Sequence, residues 1–161
     1  MAQKTRELVG ERVDKLIELL NKAYADELIA YFYYKTAAIL VKGIHAKTVA
    51  DQLEEIAKEE LEHSEELAER IIQLGGEPID DWNAITKNAN YPKIEIPEDR
   101  SDYVGILKSV HVAEQGAIEV YANIIKFLQT EVKDPATFHV IRHIMGEEMH
   151  HEEEIETLLG V

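Results

Sequence analysis

Two nine-residue segments of the chain carry the same unusual order of glutamate, histidine and apolar residues. They read EELEHSEEL at residues 59–67 and EEMHHEEEI at residues 147–155. In each segment a glutamate precedes a histidine by three positions, so in a helix the two side chains lie on one face. A carboxylate and an imidazole at this spacing are typical ligands of a divalent metal ion. The repeat therefore predicts metal chemistry on two separate helices.

The apolar residues around these segments indicate where the polar side chains point. Apolar residues near the first segment are spaced by three and four positions, as on the buried face of a helix. When this spacing is continued through the segment, the core-facing positions are occupied by Glu60 and His63. Three other helical segments are interrupted in the same way. Burying several unpaired carboxylates together is unfavourable, whereas two divalent cations balance four of them. We therefore predict a paired metal centre. Its ligands are Glu27, Glu60, His63, Glu114, Glu148 and His151.

The second segment allows two registers. Glu147 with His150 and Glu148 with His151 both have the Glu-x-x-His spacing. At about 100° per residue, Glu148 points within about 20° of the mean direction of the apolar residues of its helix, and Glu147 points well away. The internal repeat favours the same register. We therefore expect Glu148 and His151 to be the ligands, and removal of Glu147 or His150 to change little.

A tyrosine follows each of the two isolated glutamates by seven residues. Tyr34 follows Glu27, and Tyr121 follows Glu114. Buried tyrosines are usually core residues with a hydrogen-bonded hydroxyl group. Their equivalent positions also allow a contact with a ligand carboxylate, and both alternatives are open at this point. Together with the repeated segments, they predict a pseudo-twofold pair of half-chains around one site.

Four long helices are needed to position these residues. Helical apolar spacing covers residues 5–42, 46–74 and 102–130, and it resumes from Pro135. Short links within each pair predict two antiparallel hairpins. Residues 75–101 are long enough to cross the length of a bundle, and IDDWNAI at residues 79–85 is predicted to form a short helical turn. We predict an all-α, antiparallel four-helix bundle with a long crossover between helices two and three, in a single domain of residues 1–161.

Composition and charge exclude several classes of protein. The absence of cysteine excludes disulfides, thiolate metal sites and cysteine nucleophiles. A net charge of −15 repels phosphate backbones, so we expect no nucleic-acid partner. No apolar run approaches the roughly 18 residues of a spanning helix, and the N-terminus has no signal-peptide core. We therefore expect no membrane partner and a cytoplasmic location.

On the order of its six ligand-type residues, the sequence resembles the ferritin-like superfamily of di-iron carboxylate proteins. The resemblance covers nearly the whole chain and is greatest for bacterioferritins and Dps-like proteins. It implies a ferroxidase centre with two iron ions per subunit, bridged by Glu60 and Glu148 and capped by His63 and His151. Manganese tolerates the same ligands. The resemblance also implies oxidation of Fe²⁺ by hydrogen peroxide or O₂, with iron stored in a hollow oligomer.

Departures from relatives within this superfamily refine these expectations. Bacterioferritins bind haem through a methionine at the position of Leu61, so we expect no haem. Only ten residues follow His151, which leaves no room for the fifth helix of 24-subunit shells and favours a cage of twelve subunits.

Two other functions remain open. One is a rubrerythrin-like peroxidase or di-manganese catalase without mineral storage, and the other is a non-catalytic metal-binding bundle.

Overall fold

A computed structural model describes residues 3–91 and 93–161, and within these ranges it contains helices but no β-strand. The long helices α2, α3, α5 and α6 form a bundle, which confirms the predicted all-α, four-helix fold. None of the helices in the described part of the chain has the length and apolar character needed to cross a membrane. The helices are α1 (Gln3–Val9), α2 (Val13–Leu40), α3 (Ala46–Gln73), α4 (Trp82–Asn88), α5 (Tyr103–Thr130) and α6 (Pro135–Leu159).

Short links create two hairpins, and the crossover carries a helix of its own. Gly43, in the link between α2 and α3, has a φ of 100°, a conformation that residues with a Cβ rarely adopt. The short helix of the crossover begins at Trp82, three residues later than the sequence predicts. It begins there because the side chain of Asp81 accepts the backbone N–H of Ala84 at 2.8 Å and caps it.

The first predicted helix is interrupted. Residues 5–42 were expected to form one helix, but α1 ends at Val9 and α2 begins at Val13. Gly10 has a φ of 89°, and its N–H donates to the carbonyl oxygen of Arg6 at 2.8 Å, which ends α1 in a left-handed turn. The prediction was wrong here because apolar spacing does not distinguish a glycine inside a helix from one that ends it.

Within the bundle the apolar core forms two large clusters, and a third, small one joins α2 to α4. Each long helix contributes residues to both large clusters. Along each helix, the predicted ligands lie between the residues that belong to one cluster and those that belong to the other. The buried members of one large cluster fall within residues 13–23, 67–74, 117–132 and 141–144. Those of the other fall within residues 30–41, 49–57, 94, 106–113 and 155. A polar level therefore separates two well-packed apolar layers.

A buried ion pair fastens the end of α3 to the start of α6. Arg70 donates from Nη2 to Oδ2 of Asp134 at 2.7 Å and from Nε to the hydroxyl oxygen of Thr137 at 2.7 Å. Asp134 also accepts the backbone N–H groups of Ala136 and Thr137 and so caps α6. Burial alone would raise the pKa of Asp134, but Thr137 and Arg70 outweigh it and hold this pKa below its ordinary value. The pair thus connects the two hairpins.

We expect Asp134→Ala to lower the free energy of unfolding by about 3–5 kcal/mol, because it leaves a buried guanidinium unpaired. The exposed ion pair of Lys47 and Asp51 offers a matched control. Asp51→Ala should cost less than about 1 kcal/mol. Urea unfolding at fixed protein concentration measures both values, and equal losses in the two variants would contradict the role assigned to Asp134.

Candidate metal centre

The structure brings the six predicted residues together at the polar level of the bundle. Helices α2 and α5 each contribute one glutamate, and α3 and α6 each contribute a glutamate and a histidine one turn later. Each of the six is at most 1% exposed. Because these residues project inward from four helices, their carboxylate and imidazole groups share one small buried volume. They are Glu27, Glu60, His63, Glu114, Glu148 and His151.

The six residues fall into two overlapping groups of four. Within each group, every residue offers a ligand atom, and these atoms all lie within 4.8 Å of one another. Glu60 and Glu148 belong to both groups, which is the position that bridging carboxylates between two metal ions would occupy. The rings of the two histidines are stacked with their centroids 6.0 Å apart. The groups are Glu27, Glu60, His63 and Glu148, and Glu60, Glu114, Glu148 and His151.

Buried polar atoms without partners show that the donor set fits metal ions. Within the described residues, seven oxygen and nitrogen atoms of this cluster lack a hydrogen-bond partner, including both carboxylate oxygens of Glu148 and Nδ1 of each histidine. Nδ1 of His63 lies 3.0 Å from Oε1 of Glu148, but without the alignment of a hydrogen bond. Each unsatisfied buried group costs about 1–3 kcal/mol. Carboxylate oxygens and imidazole nitrogens are suitable ligands for Fe²⁺ or Mn²⁺.

The crowded carboxylates also raise the proton affinity of the cluster. Burial raises the pKa values of Glu60 and Glu148, and the neighbouring carboxylates raise them further. Burial lowers the pKa values of the two histidines, but contacts with the carboxylates outweigh this effect. The resulting pKa is about 12 for His63 and about 9 for His151. In the metal-free protein, protons therefore supply part of the positive charge that the cluster requires.

Two buried tyrosines orient the isolated glutamates. The hydroxyl group of Tyr34 donates to Oε1 of Glu114, and that of Tyr121 donates to Oε1 of Glu27. Each tyrosine thus contacts the glutamate of the other hairpin, not the one seven residues before it. In both glutamates the second oxygen, Oε2, has no hydrogen-bond partner among the described residues. The tyrosines therefore occupy one oxygen and leave the other for the centre.

The outer nitrogens of the two histidines contact two glutamates that lie outside the predicted ligand set. Nε2 of His63 lies 2.7 Å from Oε2 of Glu147, and Nε2 of His151 lies 2.7 Å from Oε2 of Glu59. The contact of Glu147 revises the expectation that its removal would change little. The sequence held one signal for this pair, because each repeated segment begins with two consecutive glutamates. His150, as expected, points away, with 65% of its side chain exposed.

A third group of possible ligands lies outside the centre. Nε2 of His111 on α5 is 3.0 Å from Oε1 of Glu156 and 3.8 Å from Oε1 of Glu152, both on α6. All three residues are partly exposed. A hydrogen bond between histidine and glutamate across two packed helices accounts for this contact without a metal ion.

Comparison with known proteins identifies the family. The family described as the ferritin-like domain matches residues 17–161. This protein belongs to the ferritin-like family. The match leaves out residues 1–16, which include α1 and the first four residues of α2, so the whole polar level lies within the matched region.

Relatives of this ferritin-like protein include two curated proteins and a solved structure. The DNA protection during starvation protein of Pyrococcus furiosus is 35% identical over 99% of this chain and 86% of its own length. The bacterioferritin of Desulfovibrio desulfuricans is 31% identical over 89% of this chain and 75% of its own length. The bacterioferritin-related protein of Bacteroides fragilis, described as a dodecameric thioferritin, is 32% identical. It has a TM-score of 0.87, with 99% of this chain and 91% of that chain covered.

We expect the metal-free protein to lose stability as the pH rises from 6.5 to about 9. His151 has a folded pKa of about 9 against an ordinary value of 6.5, so its stabilisation is complete below pH 6.5 and disappears as the pH passes 9. The raised pKa values of Glu60 and Glu148 act in the same direction. Thermal unfolding in the presence of a chelator measures the decrease.

Added Co²⁺ should remove most of this decrease, because the metal ion replaces the protons that leave the ligands. The comparison requires unfolding temperatures at both pH values with and without Co²⁺. A metal-free protein that is equally stable at both values, or one on which Co²⁺ has no effect at the higher pH, contradicts this account of the cluster.

Proposed function

We propose that this ferritin-like protein oxidises Fe²⁺ at the buried six-residue centre and stores the product as an Fe³⁺ mineral inside a hollow oligomer. The observation that carries the proposal is the pair of overlapping ligand groups that share Glu60 and Glu148. Membership of the ferritin-like family supports it, as do relatives named bacterioferritin and DNA protection during starvation protein.

The ligand chemistry favours the loss of an electron from each iron ion. Fe²⁺ is the substrate, and hard carboxylate oxygens stabilise Fe³⁺ more than Fe²⁺. Two Fe²⁺ ions supply one electron each. Hydrogen peroxide accepts both electrons with two protons and becomes two molecules of water, whereas O₂ accepts two electrons and two protons and becomes one molecule of hydrogen peroxide. The shared carboxylates of Glu60 and Glu148 would hold two substrate ions close enough for both to reduce a single oxidant molecule.

The polypeptide has two further tasks in this reaction. The hydroxyl groups of Tyr34 and Tyr121 hold Oε1 of Glu114 and Glu27, so that Oε2 of each is free to bind a substrate ion. The apolar layers on either side exclude water from the centre, which strengthens the attraction between the carboxylates and Fe²⁺.

We expect Glu148→Ala and His151→Ala each to lower the initial rate of Fe²⁺ oxidation by at least about 100-fold, since loss of a ligand exceeds the roughly 10- to 100-fold effect of outer partners. The fold should survive, because the two apolar layers of the bundle pack without either side chain, and Glu148→Ala also relieves repulsion among the carboxylates. His150→Ala is the matched control, because its side chain is exposed and belongs to the same helix.

The rate is measured from the formation of Fe³⁺ absorbance after mixing with hydrogen peroxide or with O₂, and circular dichroism checks the fold. Normal rates in both ligand variants would exclude these residues from the centre. A wild-type protein that oxidises Fe²⁺ but retains no mineral would leave the enzymatic step intact and would exclude storage.

For the assembly we propose a cage of twelve subunits in preference to twenty-four. The support is the relative from Bacteroides fragilis, which is described as dodecameric and matches this chain over nearly its whole length. Native mass spectrometry of the purified protein should give twelve subunits. A native mass of twenty-four subunits contradicts the proposal, and a dimer without an iron core would point to a peroxidase or catalase that stores no mineral.

A further inference from the structure

We infer that Glu59 and Glu147 are positioning residues, which fix the nitrogen atom that each buried histidine presents to the metal ions. The inference rests on the proposed function only in requiring that the centre binds metal. It is carried by the geometry on the outer side of the two imidazole rings, where a carboxylate oxygen lies at hydrogen-bond distance from each Nε2.

The two contacts are reciprocal between helices. Glu147 on α6 accepts from His63 on α3, and Glu59 on α3 accepts from His151 on α6, at 2.7 Å in both cases. Each acceptor immediately precedes a glutamate of the centre, Glu60 or Glu148. Successive residues of a helix point about 100° apart. The two consecutive glutamates therefore have separate tasks, one facing the centre and the other reaching the histidine of the opposite helix.

A hydrogen bond at Nε2 determines what the ring offers at Nδ1. A neutral imidazole carries one N–H group and one lone pair. When the carboxylate holds the proton on Nε2, the lone pair is on Nδ1, and this atom faces the centre. Nδ1 of His63 is 3.0 Å from Glu148, and Nδ1 of His151 is 3.2 Å from Glu60. The outer carboxylates therefore select the ligand atom and prevent the rings from turning over.

The position of the outer carboxylates limits their own desolvation cost. The side chain of Glu59 is 37% exposed and that of Glu147 is 40% exposed, although the histidines that they contact are only 1% exposed. Each glutamate thus keeps contact with water while one oxygen reaches a buried ring. Such partners also raise the basicity of the imidazole, and their loss typically weakens metal binding by about 10- to 100-fold.

The test is Co²⁺ affinity, because it reports on ligand geometry without any oxidation step. For Glu147 and for Glu59, the Ala, Gln and Asp variants separate position from charge. Gln keeps the reach and an accepting oxygen but loses the charge, whereas Asp keeps the charge but is one methylene too short. Glu55→Ala on α3 and Glu153→Ala on α6 are matched controls, since both residues are exposed and each change removes one negative charge.

A positioning role predicts that the Ala and Asp variants bind Co²⁺ about 10- to 100-fold more weakly than the controls. The Gln variants should recover part of this loss, and the visible absorption of bound Co²⁺ should change in the Ala and Asp variants alone. Metal-free unfolding temperatures verify the fold of each protein. If an Ala variant fails to fold, the order of the Gln and Asp variants decides.

Two results would overturn the inference. In the first, Ala variants bind Co²⁺ as tightly as Glu55→Ala and Glu153→Ala, which leaves the outer contacts without a role. In the second, the Asp variants bind Co²⁺ as tightly as the wild type and the Gln variants bind it as weakly as the Ala variants. That result would show that only the negative charge of the outer residue affects metal binding. A wild-type protein that binds Co²⁺ but does not oxidise Fe²⁺ would exclude the proposed function, while the order of the variants still decides the inference.

Discussion

Mutual repulsion among four buried carboxylates is the constraint on which the rest of this structure depends. Glu27, Glu60, Glu114 and Glu148 are each at most 1% exposed and occupy one level of the bundle. Such a cluster is tolerated when its negative charge is balanced by metal ions or reduced by protons on the histidines and carboxyl groups. The surrounding features all act on this balance. The two apolar layers keep water out, the tyrosines occupy one oxygen of each isolated glutamate, and the outer glutamates hold the histidines.

Much of the fold and of the inner centre could be predicted because both depend on helical periodicity. The apolar residues on the buried face of a helix recur every three or four positions, and a buried polar residue interrupts this row. Such interruptions indicated Glu60 and His63, and they indicated the register of Glu148 and His151. The long segment between the hairpins indicated a crossover. The end of α1 at Gly10 was not predicted, because apolar residues continue with helical spacing on both sides of this glycine.

The outer contacts were not predicted for a different physical reason. Glu59 and Glu147 are partly exposed, so they interrupt no stripe, and the chain contains 32 acidic residues that look alike by composition. Their partners lie on another helix. Only the packing of α3 against α6 brings Glu147 to His63, and no spacing within a single helix encodes that contact. The tyrosines show the same limit, since each contacts the glutamate of the opposite hairpin.

The composition of the two ligand groups bears on the history of the chain. The hairpin of α2 and α3 supplies three members of one group and one member of the other, and the hairpin of α5 and α6 supplies the reverse. A single hairpin therefore lacks a complete group, whereas two identical hairpins packed symmetrically would complete both groups. Duplication and fusion of one two-helix segment would account for the repeated residue order found here.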